Sequence, residues 1–595
     1  MKKIWIIIFL CIFLIACRDT AQAAKINQLE KVNLKGSKPF YQTKEKIANN
    51  DEFDNGSKIE VIKITKENTK DLAIVGKIWG YLKYYHPNVA KGEYNWDYEL
   101  FRVLPKVLES ENLIERDKIL LDWIKSQGSF EVDKDSKKAI GEIKMTPDLD
   151  WISKSNLGDE LVLELNNIRD AKRTGKNFYV SLARGVGNPE FKNERAYEDK
   201  NNPDIGFRLL GLYRYWNIIE YYFPYKYLIE DNWDDVLTEF IPKFIDSSNM
   251  LEYKLSLLEL ISRVHDTHAN IYGDKDIGNY WGNYYAPVQI KFIENKVVVT
   301  NYFDPKLGKE TGLKIGDIIT SINNKSIDEI IKERAKYNPA SNYPTLLRNI
   351  AKNLLRSQER TLNIEFMRDN KIEKTQIKCY TADQTFNKYY AEQDEIEAFK
   401  IIESDIAYIY PGKMSNLKLH EIMKEVQDTK GLIIDFRCYP SDFLVFTLGK
   451  YLLPQSTEFV KFSKGSITNP GVFTMANKLK VGKKNHNYYK GKVVIIINEE
   501  TQSSAEYHTM AFRVAPRATV IGSTTAAADG NVSSFYLPGG IETMITGIGV
   551  YYPDGRETQR IGIIPDIEIR PTIEAIKSGK DELLEKAIEI IVNED

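Results

Sequence analysis

The chain has 595 residues, with 82 Lys and Arg set against 84 Asp and Glu, for a formal net charge of −2. That balance supplies no basic field for nucleic acid, and a 43% hydrophobic content with 35 tyrosines excludes a disordered chain. At ~150 residues per domain, the length divides into about four folded units.

Residues 1–17, MKKIWIIIFLCIFLIAC, begin with Lys2 and Lys3 and continue as an apolar run of signal-peptide length, too short to span a bilayer comfortably. Leu14-Ile15-Ala16-Cys17 resembles the bacterial lipoprotein processing site. The resemblance implies a lipidated Cys17 and a chain anchored to a bacterial membrane in the cell envelope, periplasmic or surface-exposed. Beyond Cys17 only Cys379 and Cys438 remain, so disulfides are not the main staple. Residues 18–65, rich in Lys, Asn, Gln, Ser and Thr without sustained periodicity, read as a flexible tether.

From residue 66 the pattern is helical and aromatic, and it repeats. Trp79, Pro87, Trp96 and Pro105 recur as Trp216, Pro224, Trp233 and Pro242, each displaced by 137 positions. Two copies of one helical unit are expected, over 66–130 and 205–284, joined by an irregular connector at 131–204. His86 of the first copy corresponds to Phe223 of the second, which points to packing for His86. Only the second copy runs on into His265-Asp266-Thr267-His268. His265 and His268 have an HxxH spacing, but there is no third ligand nearby and no metalloprotease glutamate, so no metal is assigned.

Over residues 285–382 the period changes to that of strands. PVQIKFIENKVVVTNYF carries an Asn-containing turn between two strand-like runs, and TLNIEFMRDNKIEKTQIKC reads as a hairpin after a helical insertion at about 328–357. GLKIGDIITSINNKSIDEII resembles a PDZ domain, which would take extended peptides by strand addition. In the 383–575 segment strands and helices alternate: IAYIYP, a helix near Leu417–Gln427, GLIIDF, a helix from Phe443 to Leu453, VVIIIN, a serine-led helix and ATVIGS. Alternation of this kind favours an α/β layer with a largely parallel sheet, whose ligands lie beyond the carboxyl ends of the strands. Residues 576–595 are expected to close the chain as a helix.

Ser503 stands at the corner between Val493–Ile497 and the helix that follows. Unpaired N–H groups at a helix N-terminus favour a developing negative charge there. Ser503 with Glu506 is also a capping box, which needs no chemistry. Motif order decides between the two. HDTHANI, the PDZ-like text, LIIDFRCYPSDF, TQSSAEYHTMAFR and IGIIPDIEI resemble, in that order over about 205–570, the tail-specific or C-terminal processing serine proteases. The likeness implies a multidomain α+β chain: a duplicated helical N-terminal region, a PDZ-like β domain and an α/β protease core of the crotonase-like ββα kind.

Many members of that family pair the serine with a lysine about 25 residues later. Here position 528 is Ala, and no lysine occurs between Ser503 and Lys577. The tricorn-core branch uses a histidine placed before the PDZ domain, and His268 matches it by motif; an imidazole exchanges a proton near neutrality. Alignment on GIIPD puts Gln559 where that branch has its acid, with Glu557 two residues away and Asp266 as a further candidate. The third role stays divided among them. For the oxyanion hole, the resemblance implies backbone N–H groups of Ser504 and of the loop after Asp435, where Ser441 has an N–H and Pro440 has none. The expected activity is a cofactor-free serine endopeptidase that cleaves peptides or protein tails through an acyl-enzyme. The alternatives are a non-catalytic peptide- or ligand-binding relative of the same fold, or an esterase using the same serine.

Overall fold

The computed structural model describes residues 51–133 and 141–593. The leader, Cys17 and most of the 18–65 stretch lie outside the described residues. The end of that stretch is not a tether: Phe53, Ile59 and Ile62 are buried, and the Ser57 N–H donates to Asp204 at 2.7 Å. Three apolar side chains spaced among polar ones are enough to dock the segment on the helical body.

The two helical stretches fold alike. The first gives helices Lys66–Tyr85, Trp96–Leu108 and Leu113–Ser126, and the second gives Ile205–Tyr222, Trp233–Asp246 and Met250–Ser262. Asn95 and Asn232, 137 apart, cap their helices by accepting the N–H groups of Asp97 (3.1 Å) and Asp234 (3.0 Å). A buried indole needs an acceptor for its N–H, and the tryptophans supply one another. Trp79 and Trp96 each donate Nε1–H to the other's carbonyl at 3.0 Å, and Trp216 and Trp233 do the same at 2.7 and 3.1 Å.

The connector is more ordered than its sequence suggests. LVLEL lies in helix Asp159–Arg169, and Ile143–Met145 is a short strand antiparallel to Phe473–Met475. It is the outer member of a sheet ordered Ile143–Met145, Phe473–Met475, Thr457–Gly465, Leu479–Val481, with Gly549–Tyr551 also paired to Thr457–Gly465.

A separate β unit follows. Its strands are ordered Lys371–Lys378, Thr361–Arg368, Ile318–Ile322, Lys296–Tyr302, Val288–Ile293. Three tight turns, Glu294-Asn295, Asn323-Asn324 and Asp369-Asn370, hold both residues at positive φ. This is the type I′ geometry that matches strand twist and that Asn and Asp tolerate. The expected helical insertion is present as Ile327–Ala335 and Tyr343–Leu354.

The last unit is a six-stranded sheet ordered Phe399–Ile402, Ile406–Ile409, Gly431–Asp435, Lys492–Ile497, Ala518–Gly522, Ile567–Glu568, parallel throughout except for the first pair. Alternate residues bury on opposite faces. Ile433, Val494 and Ile496 meet Leu583, Ala587 and Ile591 of helix Glu582–Val592, while Ile434, Ile495 and Ile497 pack with the helices Asn416–Val426, Val445–Leu452 and Ser504–Phe512. A parallel sheet covered on both faces explains the unbroken apolar runs in its strands. Cys379 and Cys438 are both free thiols.

Candidate active site

Strand Lys492–Ile497 ends at a loop that delivers Ser503 to the start of helix Ser504–Phe512. Ser503 adopts φ 55° and ψ −115°. Ordinary caps are extended; a non-glycine residue here is strained, and such strain persists only where the surroundings over-determine it. Two acceptors fix the Ser503 N–H: the Ala528 carbonyl at 2.9 Å and Glu506 Oε2 at 2.9 Å. Glu506 is fully buried and also receives the Ala527 N–H (3.0 Å), the Ala528 N–H (3.1 Å) and the Thr525 hydroxyl. Burial pushes its carboxyl up to about 7, against the pull of the Thr525 hydroxyl and these N–H groups. The capping box is therefore real, and it ties the serine corner to the 525–528 loop.

The same loop receives the histidine motif. The Thr267 hydroxyl donates to the Ala526 carbonyl at 3.1 Å, two residues from the Ala528 carbonyl that holds Ser503. Ser503 and His268 are thus carried by segments that grip one short loop, although 235 positions separate them in the chain. Ala528 stands where a lysine would be expected; its backbone accepts from Ser503 and donates to Glu506.

His268 is 1% exposed. Its Nδ1 lies 2.8 Å from the Thr546 hydroxyl, and its Nε2 is buried with no partner. Burial lowers its pKa from the ordinary 6.5, and the Asp266 carboxylate only partly offsets this. Asp266 is fully buried and accepts from the Thr546 hydroxyl (2.9 Å), the Thr546 N–H (2.7 Å), the His268 N–H (3.2 Å) and the Gln559 amide (3.4 Å). Ser341, from the β unit, joins the cluster: it receives the Thr267 N–H at 2.9 Å and the Gln559 amide at 3.3 Å.

The predicted residues divide. Ser503, Ser504, His268 and Gln559 gather around this cluster. Glu557 does not: its Oε1 is engaged by Lys144 at 2.6 Å and Tyr227 at 2.8 Å, so it is withdrawn as the acid of the site. Gln559 reaches Asp266 rather than an imidazole nitrogen, and Asp266 supplies the carboxylate. Residues 264–270 lie outside any helix, and their loop folds Asp266 back onto the His268 N–H. Ser504 is the first residue of its helix, so its N–H has no intrahelical acceptor and suits an oxyanion. Ser441 does not fit that part: its N–H donates to the Pro411 carbonyl at 3.0 Å.

Sequence reasoning missed Thr546 and Ser341, because a lone hydroxyl in a hairpin or a loop carries no motif. A nearer histidine, His508, is not a rival base. Its Nε2 accepts the Leu444 N–H at 2.8 Å, its Nδ1 faces the Ser504 carbonyl, and burial lowers its pKa to about 4.

A strained serine after the carboxyl end of a parallel strand, and a histidine with an unpaired ring nitrogen whose neighbour Thr267 bonds the same loop, are the parts a serine hydrolase site uses. Residues 405–569 match the family model described as Peptidase family S41. That segment, which holds Ser503, is thus similar to S41 peptidases. No curated protein matches the sequence. Among solved structures, mature CPAF complexed with lactacystin aligns at 12% identity and a TM-score of 0.51 over 66% of this chain and 99% of its own, which shows a shared fold. A putative peptidase from Parabacteroides merdae aligns at 18% identity and a TM-score of 0.41, over 66% of this chain and 98% of its own.

Proposed function

We propose that this chain is a serine endopeptidase of the bacterial cell envelope with a Ser-His site. The observation that carries the reading is the buried, unpartnered Nε2 of His268, on a segment that shares the 525–528 loop with the strained Ser503. Ser503 Oγ attacks a peptide carbonyl as His268 Nε2 takes its proton, and the oxyanion turns toward the Ser504 N–H. Collapse breaks the C–N bond and returns that proton to the amine, leaving an acyl-Ser503 ester. Water, deprotonated by Nε2, then hydrolyses the ester and restores the serine. No cofactor is required. The 285–382 unit is read as a PDZ-like domain that holds a substrate tail, the 66–130 and 205–284 stretches as copies of one helical unit, and Cys17 as the lipid anchor.

The second reading, a non-catalytic peptide-binding relative, is favoured by the Ser441 N–H, which is committed to Pro411 and leaves one expected oxyanion donor missing. Treating the full-length chain in mild detergent with a fluorophosphonate separates the two. Labelling that is abolished in Ser503→Ala and strongly reduced in His268→Ala supports the enzyme, and equal labelling of wild type and Ser503→Ala overturns it. Relative turnover of peptide and ester substrates separates a peptidase from an esterase.

A further inference from the structure

We infer that Thr546 is a positioning residue: its hydroxyl links His268 to Asp266 and fixes the imidazole in the tautomer that leaves Nε2 as the base. The inference rests on the serine peptidase reading above and adds to it a residue from hairpin strand Ile541–Thr546.

The argument is one of hydrogen counting. Thr546 Oγ1 lies 2.9 Å from Asp266 Oδ1 and 2.8 Å from His268 Nδ1. A carboxylate only accepts, so the single hydroxyl hydrogen of Thr546 points to Asp266. Toward His268 the same oxygen must then accept, which requires the proton on Nδ1 and leaves Nε2 bare. The direct His268 Nδ1 to Asp266 Oδ1 separation is 3.9 Å, outside hydrogen-bond range, so the carboxylate acts on the ring through the hydroxyl. Asp266 is itself held from every side. The Thr546 N–H, the His268 N–H and the Gln559 amide all donate to it. Thr267, Ser341 and Gln559, packed around it, are neutral. When Nε2 takes the Ser503 proton, the imidazolium keeps its Nδ1–H on Thr546, and no second proton moves.

The test compares Thr546→Val, which keeps shape and the backbone N–H but loses the hydroxyl, with Thr546→Ser, which keeps both. On the full-length chain, ¹⁵N-histidine NMR, with His268 assigned by its absence in His268→Ala, reads the tautomer directly. An Nδ1–H signal in wild type that is lost or mixed in Thr546→Val is expected; an Nε2–H tautomer in wild type overturns the inference. In turnover, Thr546→Val should lose about 10²-fold or more in kcat, with the acid limb of the pH profile moved to lower pH because the imidazolium loses an acceptor. Thr546→Ser should stay within about tenfold of wild type. Equal losses in both variants with an unmoved limb, or no loss in Thr546→Val, overturn it. Absence of fluorophosphonate labelling in wild type would instead strike at the peptidase reading, while the NMR arm still decides the tautomer.

Discussion

The first and second helical stretches pack directly on each other, and a comparison of the two separates packing from the proposed chemistry. Positions 137 apart touch one another: an added Cβ at Gly76 would lie 2.5 Å from the Tyr213 ring, and one at Gly80 would lie 1.9 Å from Asn217. Other contacts between the two come in pairs related by the same offset. Tyr84 meets Tyr222 at 5.0 Å and Tyr85 meets Tyr221 at 5.6 Å; Lys77 pairs with Asp234 at 2.7 Å and Arg214 with Asp97 at 2.8 Å. Up to the ends of helices Leu113–Ser126 and Met250–Ser262 the two present three helices in the same order. Beyond that point the first brings Phe130 back edge-on to His86, and the second turns into the Asp266-Thr267-His268 loop. On the proposed reading the shared plan is scaffolding, and the chemistry sits in what the second stretch adds.

The strongest way to break this comparison is to remove one histidine from each side. His268→Ala should lower fluorophosphonate labelling and peptide turnover by about 10²- to 10⁴-fold, the usual worth of a positioned base. His86→Ala should leave the labelling rate within about twofold. Comparable losses in both would place catalytic weight in the shared plan. Because burial depresses the His268 pKa below 6.5 and the base works deprotonated, kcat/KM should hold as pH falls through 6.5 and decline only below it. A limb well above 6.5 would count against His268.

The reciprocal ion pairs offer a finer cut. Arg214 is fully buried between Asp97 and Glu194, whereas Lys77 pairs with an Asp234 that is 44% exposed. Without Arg214, the buried Asp97 and Glu194 share Lys83 as the cation still paired with both, at a cost of up to about 3–5 kcal/mol; without Lys77, Asp234 still faces water, at a cost of at most about 1 kcal/mol. Arg214→Met should therefore shift the urea midpoint far more than Lys77→Met does, at unchanged m-value. Equal shifts would mean that the two halves carry equivalent loads.

The sequence was informative where local physics is strong. The apolar run Val493–Ile497, the Asn-containing turn after Ile293 and the hairpin text from Thr361 point directly to the elements observed. Ser503 and His268 stood out because each lies in a distinctive stretch. The rest of the site is assembled by tertiary contact. Thr546 reaches His268 across 278 positions, and Ser341 reaches Thr267 across 74, with nothing local to mark either. The Ser441 N–H is taken by a carbonyl 30 positions earlier. The three-residue strand Ile143–Met145 is too short to show alternation, so its sheet was not expected at all.

The smallest effect makes the most direct comparison: His86→Phe writes the second stretch's residue, Phe223, into the first. His86 Nδ1 accepts the Asn88 N–H at 3.2 Å, while its Nε2 is buried without a partner. Near neutral pH the substitution removes one long hydrogen bond and one stranded polar atom, so stability should change by no more than about 1 kcal/mol. Acidification separates the two proteins. Burial lowers the His86 pKa from 6.5 to about 4, so below 6.5 the unfolded chain takes up a proton that the native chain refuses. Stability contributed above 6.5 is then lost as pH falls toward 4, at up to ~1.4 kcal/mol per pH unit. His86→Phe has no such proton to gain, so its unfolding free energy relative to wild type should rise steadily between pH 6.5 and 4. Parallel pH profiles for the two proteins, measured by urea unfolding, would show that His86 is not the buried neutral packing residue that its Phe counterpart implies.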